Sequence, residues 1–267
     1  LVQAERAGNP WGQSPDDRFA WSKRLPEGLR APLMAQRQMA DILYWVGCAG
    51  SFDPNAQKTT LAMIKILNAA GVDFALLGNE EFCNCEWARR AGNEYLYQLV
   101  AEQNIETMQR YRFNRVLTQC PHCFNTFKNE YPQFGGDFQV VHHSEFISEL
   151  IATGQLRLNR RLDQTLTFHD SCYLGRYNGI YGAPRETLTW AGVHIKEMPR
   201  SREKGYCCGG GGAHAWFELE ETTEPASHRR PGAEFRQIQE VRLEEALDQN
   251  VDTVAAACPF CVLMLSS

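Results

Sequence analysis

The 267-residue sequence contains no apolar stretch approaching the ~18 residues that a membrane-crossing helix requires. Residues 1–40 are polar and punctuated by proline and glycine, with no charged start leading into an apolar segment, so a secretory signal is not expected. An excess of positive charge is lacking too. Lys and Arg total 27 against 32 Asp and Glu, for a net charge of −5. A nucleic-acid partner, which would call for a basic face, is therefore not expected. The expected location is cytoplasmic, with any membrane contact made through partners. At 43% hydrophobic and 22% charged residues, the composition is that of a folded globular chain with one or two cores. The first residue is Leu, not Met, which is compatible with a piece of a longer protein.

Cysteine, by contrast, is abundant. The ten are Cys48, Cys83, Cys85, Cys120, Cys123, Cys172, Cys207, Cys208, Cys258 and Cys261. Without a secretory signal, clustered cysteines read as metal ligands or redox groups rather than disulfides. They also repeat. Cys48 to Cys172 and Cys83 to Cys207 are both offsets of 124, and Cys120 to Cys258 and Cys123 to Cys261 are both offsets of 138. Cysteines scattered as small core residues would not produce paired equal offsets. The second copy is longer by 14 residues in its last interval, and the polar stretch Glu220 to Gly232 supplies most of the excess as a loop insertion.

The pattern between the cysteines is that of an alternating chain. Ile42 to Val46 reads as a buried strand ending at Gly47-Cys48. Asp53 and Pro54 read as an N-cap and first helical residue, followed by helix through Leu61 to Leu67 that Gly71 terminates. Val72 to Leu77 is a second strand, Tyr95 to Tyr111 a helix, and Arg115 to Leu117 a strand that runs into Cys120. In the second copy Thr165 to Phe168 leads to Cys172, Val193 to Glu197 is a strand, and Val254 to Ala257 leads to Cys258. The expected fold class is α/β, with two tandem pseudo-symmetric cysteine-rich units built on parallel sheets. The expected division is an N-terminal arm over 1–40, a first unit over 41–155 and a second over 156–267. Most cysteines then fall beyond the carboxyl ends of strands, where such sheets bind ligands.

Soft thiolates hold zinc or iron–sulfur clusters. Cys120-Pro121-His122-Cys123 and Cys258-Pro259-Phe260-Cys261 are Cys-x-x-Cys pairs, each able to converge on one metal centre. Five thiols per set exceed the four of tetrahedral zinc. That favours a larger cluster, or four ligands with a reactive thiol. Gly209 and Gly210 open a four-glycine run after Cys207-Cys208, and their amides can approach and tune a sulfur centre. His169 and His214 flank Cys172 and the glycine run and are candidate supporting residues. His142 and His143 read as structural. Arg89, Arg90 and Arg176 either balance cluster charge or are solvated.

Twice over, Cys…Cys-Cys-Gly…Cys-x-x-Cys resembles the cysteine-rich (CCG) domain found in heterodisulfide reductase and related iron–sulfur oxidoreductases. The second copy carries HDSCYLGRYN from His169, CCGGGG from Cys207 and ACPFC from Ala257. The first carries WVGCAGSFDP from Trp45, GNEEFCNCEWARRAG from Gly78 and CPHCFNTFKNEYPQFGG from Cys120. With NPWG at Asn9 to Gly12, these strings are most similar to the C-terminal part of membrane-associated oxidoreductases that work with electron-transfer flavoprotein and quinone. The resemblance implies a 4Fe–4S cluster, noncubane in form, on Cys172, Cys207, Cys208, Cys258 and Cys261. It implies a second 4Fe–4S site at Cys48, Cys83, Cys120 and Cys123. Here the first copy departs from the pattern: Asn84 stands where Cys208 does and Cys85 where Gly209 does. Either Cys85 supplies a fifth thiolate through a changed turn, or that site has four ligands and carries a cubane cluster, another metal or nothing.

The implied role is electron transfer from a flavoprotein or ferredoxin-like partner towards quinone or another carrier. Larger relatives place a membrane segment and a ferredoxin-like module ahead of this region, so a membrane-bound quinone-reactive protein is an expected partner. The alternative is a heterodisulfide or thiol–disulfide reductase in which a noncubane 4Fe–4S cluster binds and splits a disulfide, with Cys207 and Cys208 as the catalytic residues. A structural zinc protein is the third reading.

Overall fold

The computed structural model describes residues 2–216 and 237–266; the expected insertion at 220–232 lies outside them. Two parallel sheets organise the chain. The first contains β1 (Ile42–Trp45), β2 (Phe74–Ala75), β3 (Arg115–Thr118) and β4 (Val140–His142), in the order β2-β1-β3-β4. The second contains β5 (Thr165–His169), β6 (His194–Ile195) and β7 (Val254–Ala256), in the order β6-β5-β7. In each half the first strand lies between the second and third. The sequence repeat is thus a topological repeat of parallel α/β units, as the sequence pattern implied. β4, which pairs with β3 from Val116↔Val140 to Thr118↔His142, has no counterpart among the described residues of the second half.

Local signals explain the elements. All four residues of β1 are buried, as a continuous apolar run in a covered parallel sheet must be. Asp53 accepts hydrogen bonds from the amides of Asn55 and Ala56 and starts the helix Pro54–Ala69. Asn93 similarly caps the helix Glu94–Gln109 through the Leu96 amide. The helix Pro54–Ala69 buries Met63, Ile64 and Leu67 at spacings that form one face. They pack with Ile42, Tyr44 and Leu117 on one side of the first sheet.

A second core lies on the opposite side and crosses the halves. Leu43, Trp45, Val116, Cys120, Cys123 and Phe127 cluster there with Cys208, Cys258, Phe260 and Cys261. The two cysteine-rich ends therefore face each other across a shared core. The first forty residues pack on the same assembly: Trp21 and Met34 are buried, and the Gly8 carbonyl accepts from the Cys83 amide at 2.9 Å.

Candidate metal centre

Strand ends deliver the thiols. Cys48 follows β1, Cys120 follows β3, Cys172 follows β5 and Cys258 follows β7, each within three residues. Cys83 and Cys207 arrive on the loops after β2 and β6. All ten cysteines are free. Eight are buried, and only Cys172 and Cys207, both in the second set, are partly exposed.

In the first set, Cys48 Sγ lies 3.5 Å from Cys83 Sγ, and the Cys85 amide donates to Cys83 Sγ at 3.4 Å. Cys48, Cys83, Cys120 and Cys123 line one small internal cavity of about 10 Å³. In the second set, Cys208 Sγ lies 3.3 Å from Cys261 Sγ, and the Gly209 amide donates to Cys207 Sγ at 3.3 Å. The two sets meet in one buried cluster that holds Cys120 and Cys123 of the first with Cys208, Cys258 and Cys261 of the second.

Crowded thiols share protons unequally. Hydrogen bonds from Cys172 and Cys208, aided by the Gly209 amide, hold Cys207 down at about 2. Cys83 is likewise held far below the usual thiol range by bonds from Cys48 and Cys85. Burial pushes Cys258 up, but bonds from Cys120, Cys261 and His122 outweigh it and hold that thiol well below its ordinary value. Thiolate, the form that binds metal, is thus favoured at Cys83 in the first set and at Cys207 and Cys258 in the second, while their neighbours Cys48, Cys85, Cys120, Cys172, Cys208 and Cys261 are pushed up.

The glycines are there for space. A Cβ on Gly209 would come 2.5 Å from Ile238 Cγ2, and φ is +87°. A Cβ on Gly210 would come 2.9 Å from Met264 Cγ. Of the two candidate histidines, His169 joins the thiols: one ring nitrogen and the Cys208 and Cys261 sulfurs lie mutually within 4.8 Å. Its Nδ1 accepts from Arg242 Nε at 3.0 Å, while its buried Nε2 has no protein partner. Burial, then Arg242, lowers His169 to about 4, so it is neutral at neutral pH. His214 is exposed, with Nδ1 2.8 Å from the Gly211 carbonyl oxygen.

Several supporting groups were invisible in the sequence because their partners lie far along the chain. Arg18 and Glu81 form a buried 2.8 Å ion pair. Glu81 also accepts from the Val46 and Gly47 amides, fixing the turn that carries Cys48. His122, inside the first Cys-x-x-Cys, has Nδ1 2.5 Å from Glu86 Oε1 and stacks on Tyr173 of the other half at 4.2 Å. Burial pushes His122 down, but Glu86 and Cys258 raise it to about 10. Ser171 Oγ lies 3.6 Å from Cys261 Sγ. Arg89 and Arg90 pair with Glu130, and Arg176 donates to the Gly205 carbonyl. His142 caps the helix His143–Ala152.

Ten free thiols in two contiguous sets, with an orphaned buried imidazole nitrogen against one of them, fit a thiolate-ligated cluster in each half. Comparison with known proteins agrees with that chemistry. The model of a family described as "Cysteine-rich domain" (CCG) matches residues 42–128 and again 166–266. The chain is 42% identical over 269 residues to the "Probable iron-sulfur-binding oxidoreductase FadF" of Bacillus subtilis, covering 99% of this chain and 36% of that protein. It is 38% identical over 267 residues to the "EtfAB:quinone oxidoreductase" of Syntrophomonas wolfei, covering 100% and 37%. It is 33% identical over 266 residues to one component of the dihydromethanophenazine:CoB–CoM heterodisulfide reductase of Methanosarcina barkeri, covering 97% and 59%. The chain therefore spans between about a third and three-fifths of the length of these curated relatives.

Proposed function

The chain belongs to the cysteine-rich domain family, and from that premise we propose that it is the iron–sulfur electron-transfer part of an oxidoreductase. One observation carries the reading: all ten thiols are free, and Cys120 and Cys123 of the first set share one buried core with Cys208, Cys258 and Cys261 of the second. Cys172, Cys207, Cys208, Cys258 and Cys261 would hold one 4Fe–4S cluster, noncubane in form. Cys48, Cys83, Cys85, Cys120 and Cys123 would hold another. A cluster supplies one-electron chemistry; the chain supplies ligands, burial and docking. His169, Gly209 and Gly210 support the second set. The units would be 41–155 and 156–267, with the arm 1–40 laid against them.

The electron donor would be a flavoprotein or ferredoxin-like protein, and the acceptor quinone or another carrier. The names of the relatives, FadF and EtfAB:quinone oxidoreductase, support this pairing. No helix among the described residues is long and apolar enough to cross a membrane. A quinone-reactive membrane element would therefore come from another chain or segment.

A second reading has an observation of its own. Cys172 and Cys207 are partly exposed, whereas all five first-set thiols are buried. A partly open cluster edge is where a disulfide could reach, so the second reading is a thiol–disulfide reductase in which a noncubane 4Fe–4S cluster at the second set binds and splits a disulfide, with Cys207 and Cys208 as the catalytic pair.

Iron, acid-labile sulfide and zinc on anaerobically purified protein, with EPR, test the proposal. About eight iron per chain is expected from two 4Fe–4S sites. Zinc without sulfide overturns it, and turnover with a disulfide would favour the second reading.

A further inference from the structure

The first-set cavity has more than thiols in its wall. Asn84 and Trp87 line it beside Cys48, Cys83, Cys120 and Cys123. Asn84 is 3% exposed and Trp87 7%. The Glu86 amide donates to Asn84 Oδ1 at 3.2 Å. A backbone N–H can only donate, so this bond fixes which end of the Asn84 amide is oxygen. The other end, Nδ2, is buried and meets no protein acceptor. Trp87 lies in the short helix Glu86–Arg90, and its Nε1, again a donor only, is also buried without a protein acceptor. Folded proteins leave few buried donors unmet, and each that remains calls for an explanation. Both of these residues line the cavity that four of the first-set thiols share. Sulfur is the acceptor that a thiolate-bound cluster would bring there. The repeat makes the pair specific to this half. At the offset of 124, Asn84 corresponds to Cys208 and Trp87 to Gly211, and neither of those has a side-chain N–H.

Hydrogen bonds to the sulfurs of a cluster stabilise its more negative, reduced form and raise its potential. We infer that Asn84 and Trp87 are hydrogen-bond donors to sulfur at the first site, and that together they raise its reduction potential. The second site, with Cys208 and Gly211 at these positions, receives neither bond. An amide and an indole N–H are neutral donors, so the effect does not depend on a protonation state. This rests on the iron–sulfur reading above. It gives the residue that stands in place of Cys208 a task of its own.

The test is an EPR-monitored redox titration of the whole chain, with iron and sulfide counted in parallel. Cys208→Ser identifies which signal belongs to the second site. Trp87→Phe keeps an aromatic ring and removes the donor, and Asn84→Leu removes the amide at similar volume. Each is expected to leave iron content unchanged and to lower the first-site reduced-to-oxidised ratio about tenfold at a fixed potential, about 59 mV for one electron. The second site should stay where it is. Asn84→Ser, whose hydroxyl both accepts and donates, should keep most of the parent potential. Pulsed EPR on the parent chain, isotopically labelled at the tryptophan indole and asparagine amide nitrogens, needs no variant to assemble. It should show nitrogen couplings in the first-site signal, and Trp87→Phe and Asn84→Leu should each remove one. A parent first-site signal without such couplings, an unchanged first-site midpoint in either donor-removing variant, or equal shifts at both sites overturns the inference while leaving the cluster reading intact. A parent chain without iron and sulfide overturns both.

Discussion

Cys83-Asn84-Cys85 and Cys207-Cys208-Gly209 occupy the same turn in the two halves and build it from different residues. The turn itself is unchanged. In each copy the third residue's amide donates to the first residue's sulfur, at 3.4 Å in one and 3.3 Å in the other. In each copy that third residue has positive φ, +54° at Cys85 and +87° at Gly209. Glycine enters this region freely; a residue with a Cβ pays roughly 1–2 kcal/mol. Cys85 therefore sits in a conformation its side chain opposes. The expectation of a changed turn gives way to a kept turn with a moved thiol. Asn84 fills the vacated position, 3% exposed and with its buried Nδ2 unpartnered. The repeat thus preserves a backbone hydrogen bond to sulfur more strictly than it preserves which position carries the second thiol.

The comparison breaks first at Cys208. Its sulfur lies 3.3 Å from Cys261, and its place in the first half is held by an amide. Cys208→Ser should abolish or convert the second-site EPR signal, removing up to about four iron per chain, while the first-site signal stays. Retention of the full parent spectrum would remove Cys208 from the ligand set.

The next effect concerns support rather than ligation. Arg18 reaches in from the first forty residues to pair with Glu81, both side chains at most 3% exposed, and Glu81 holds the amides leading to Cys48. The matching turn in the second half is held by Asp170, which takes two bonds from Arg185 and one from the Arg202 amide. Arg18→Met leaves a buried carboxylate without its cation and should cost about 3 kcal/mol in chemical unfolding. The first-site spectrum should broaden before the second changes. Equal loss at both sites would show that the halves do not unfold independently.

Cys85→Gly sharpens the opening comparison directly, since it writes the second half's residue into the first. Removing the Cβ relieves the left-handed strain, so thermal stability should hold to within about 1 kcal/mol. Removing the thiol should alter the first-site EPR spectrum. An identical spectrum would make the site four-coordinate by protein.

What the sequence made legible was local. The strand before each lone cysteine and the Asp53-Pro54 helix start depend on neighbours or on repeated spacing, and they appear where expected. The short strand β4 carries too few residues for a period to show. The groups that aim the sulfurs were hidden for another reason. Arg18–Glu81, Glu86–His122 and His169–Arg242 join residues 63, 36 and 73 positions apart, and no spacing rule reaches that far. His122 was visible as a residue between two cysteines; that its ring stacks on Tyr173 of the other half is a consequence of how the two halves face each other.

The smallest expected difference is one of pH. Glu130 in the first half and Glu245 in the second are each 10% exposed and clamped by two arginines, Arg89 and Arg90 in one case, Arg200 and Arg242 in the other. Burial pushes both carboxyls up, but the arginines outweigh it and both lie below the ordinary carboxylate value of about 4.3. A carboxyl with a depressed native pKa stabilises the fold above its unfolded value and loses that contribution as pH falls through its native value. Glu130→Gln and Glu245→Gln should each lower stability by about 1.5 kcal/mol at neutral pH and flatten its decline below about pH 4.3. The halves should differ in what else moves. Arg242, held by Glu245, is also the donor to His169, whose ring lies against Cys208 and Cys261. Glu245→Gln should therefore perturb the second-site spectrum, whereas Glu130→Gln should reach the first site instead, through Arg90 and Glu86 to His122. Spectra that respond to neither substitution would make the Arg242–His169 contact a packing feature with no hold on the sulfurs.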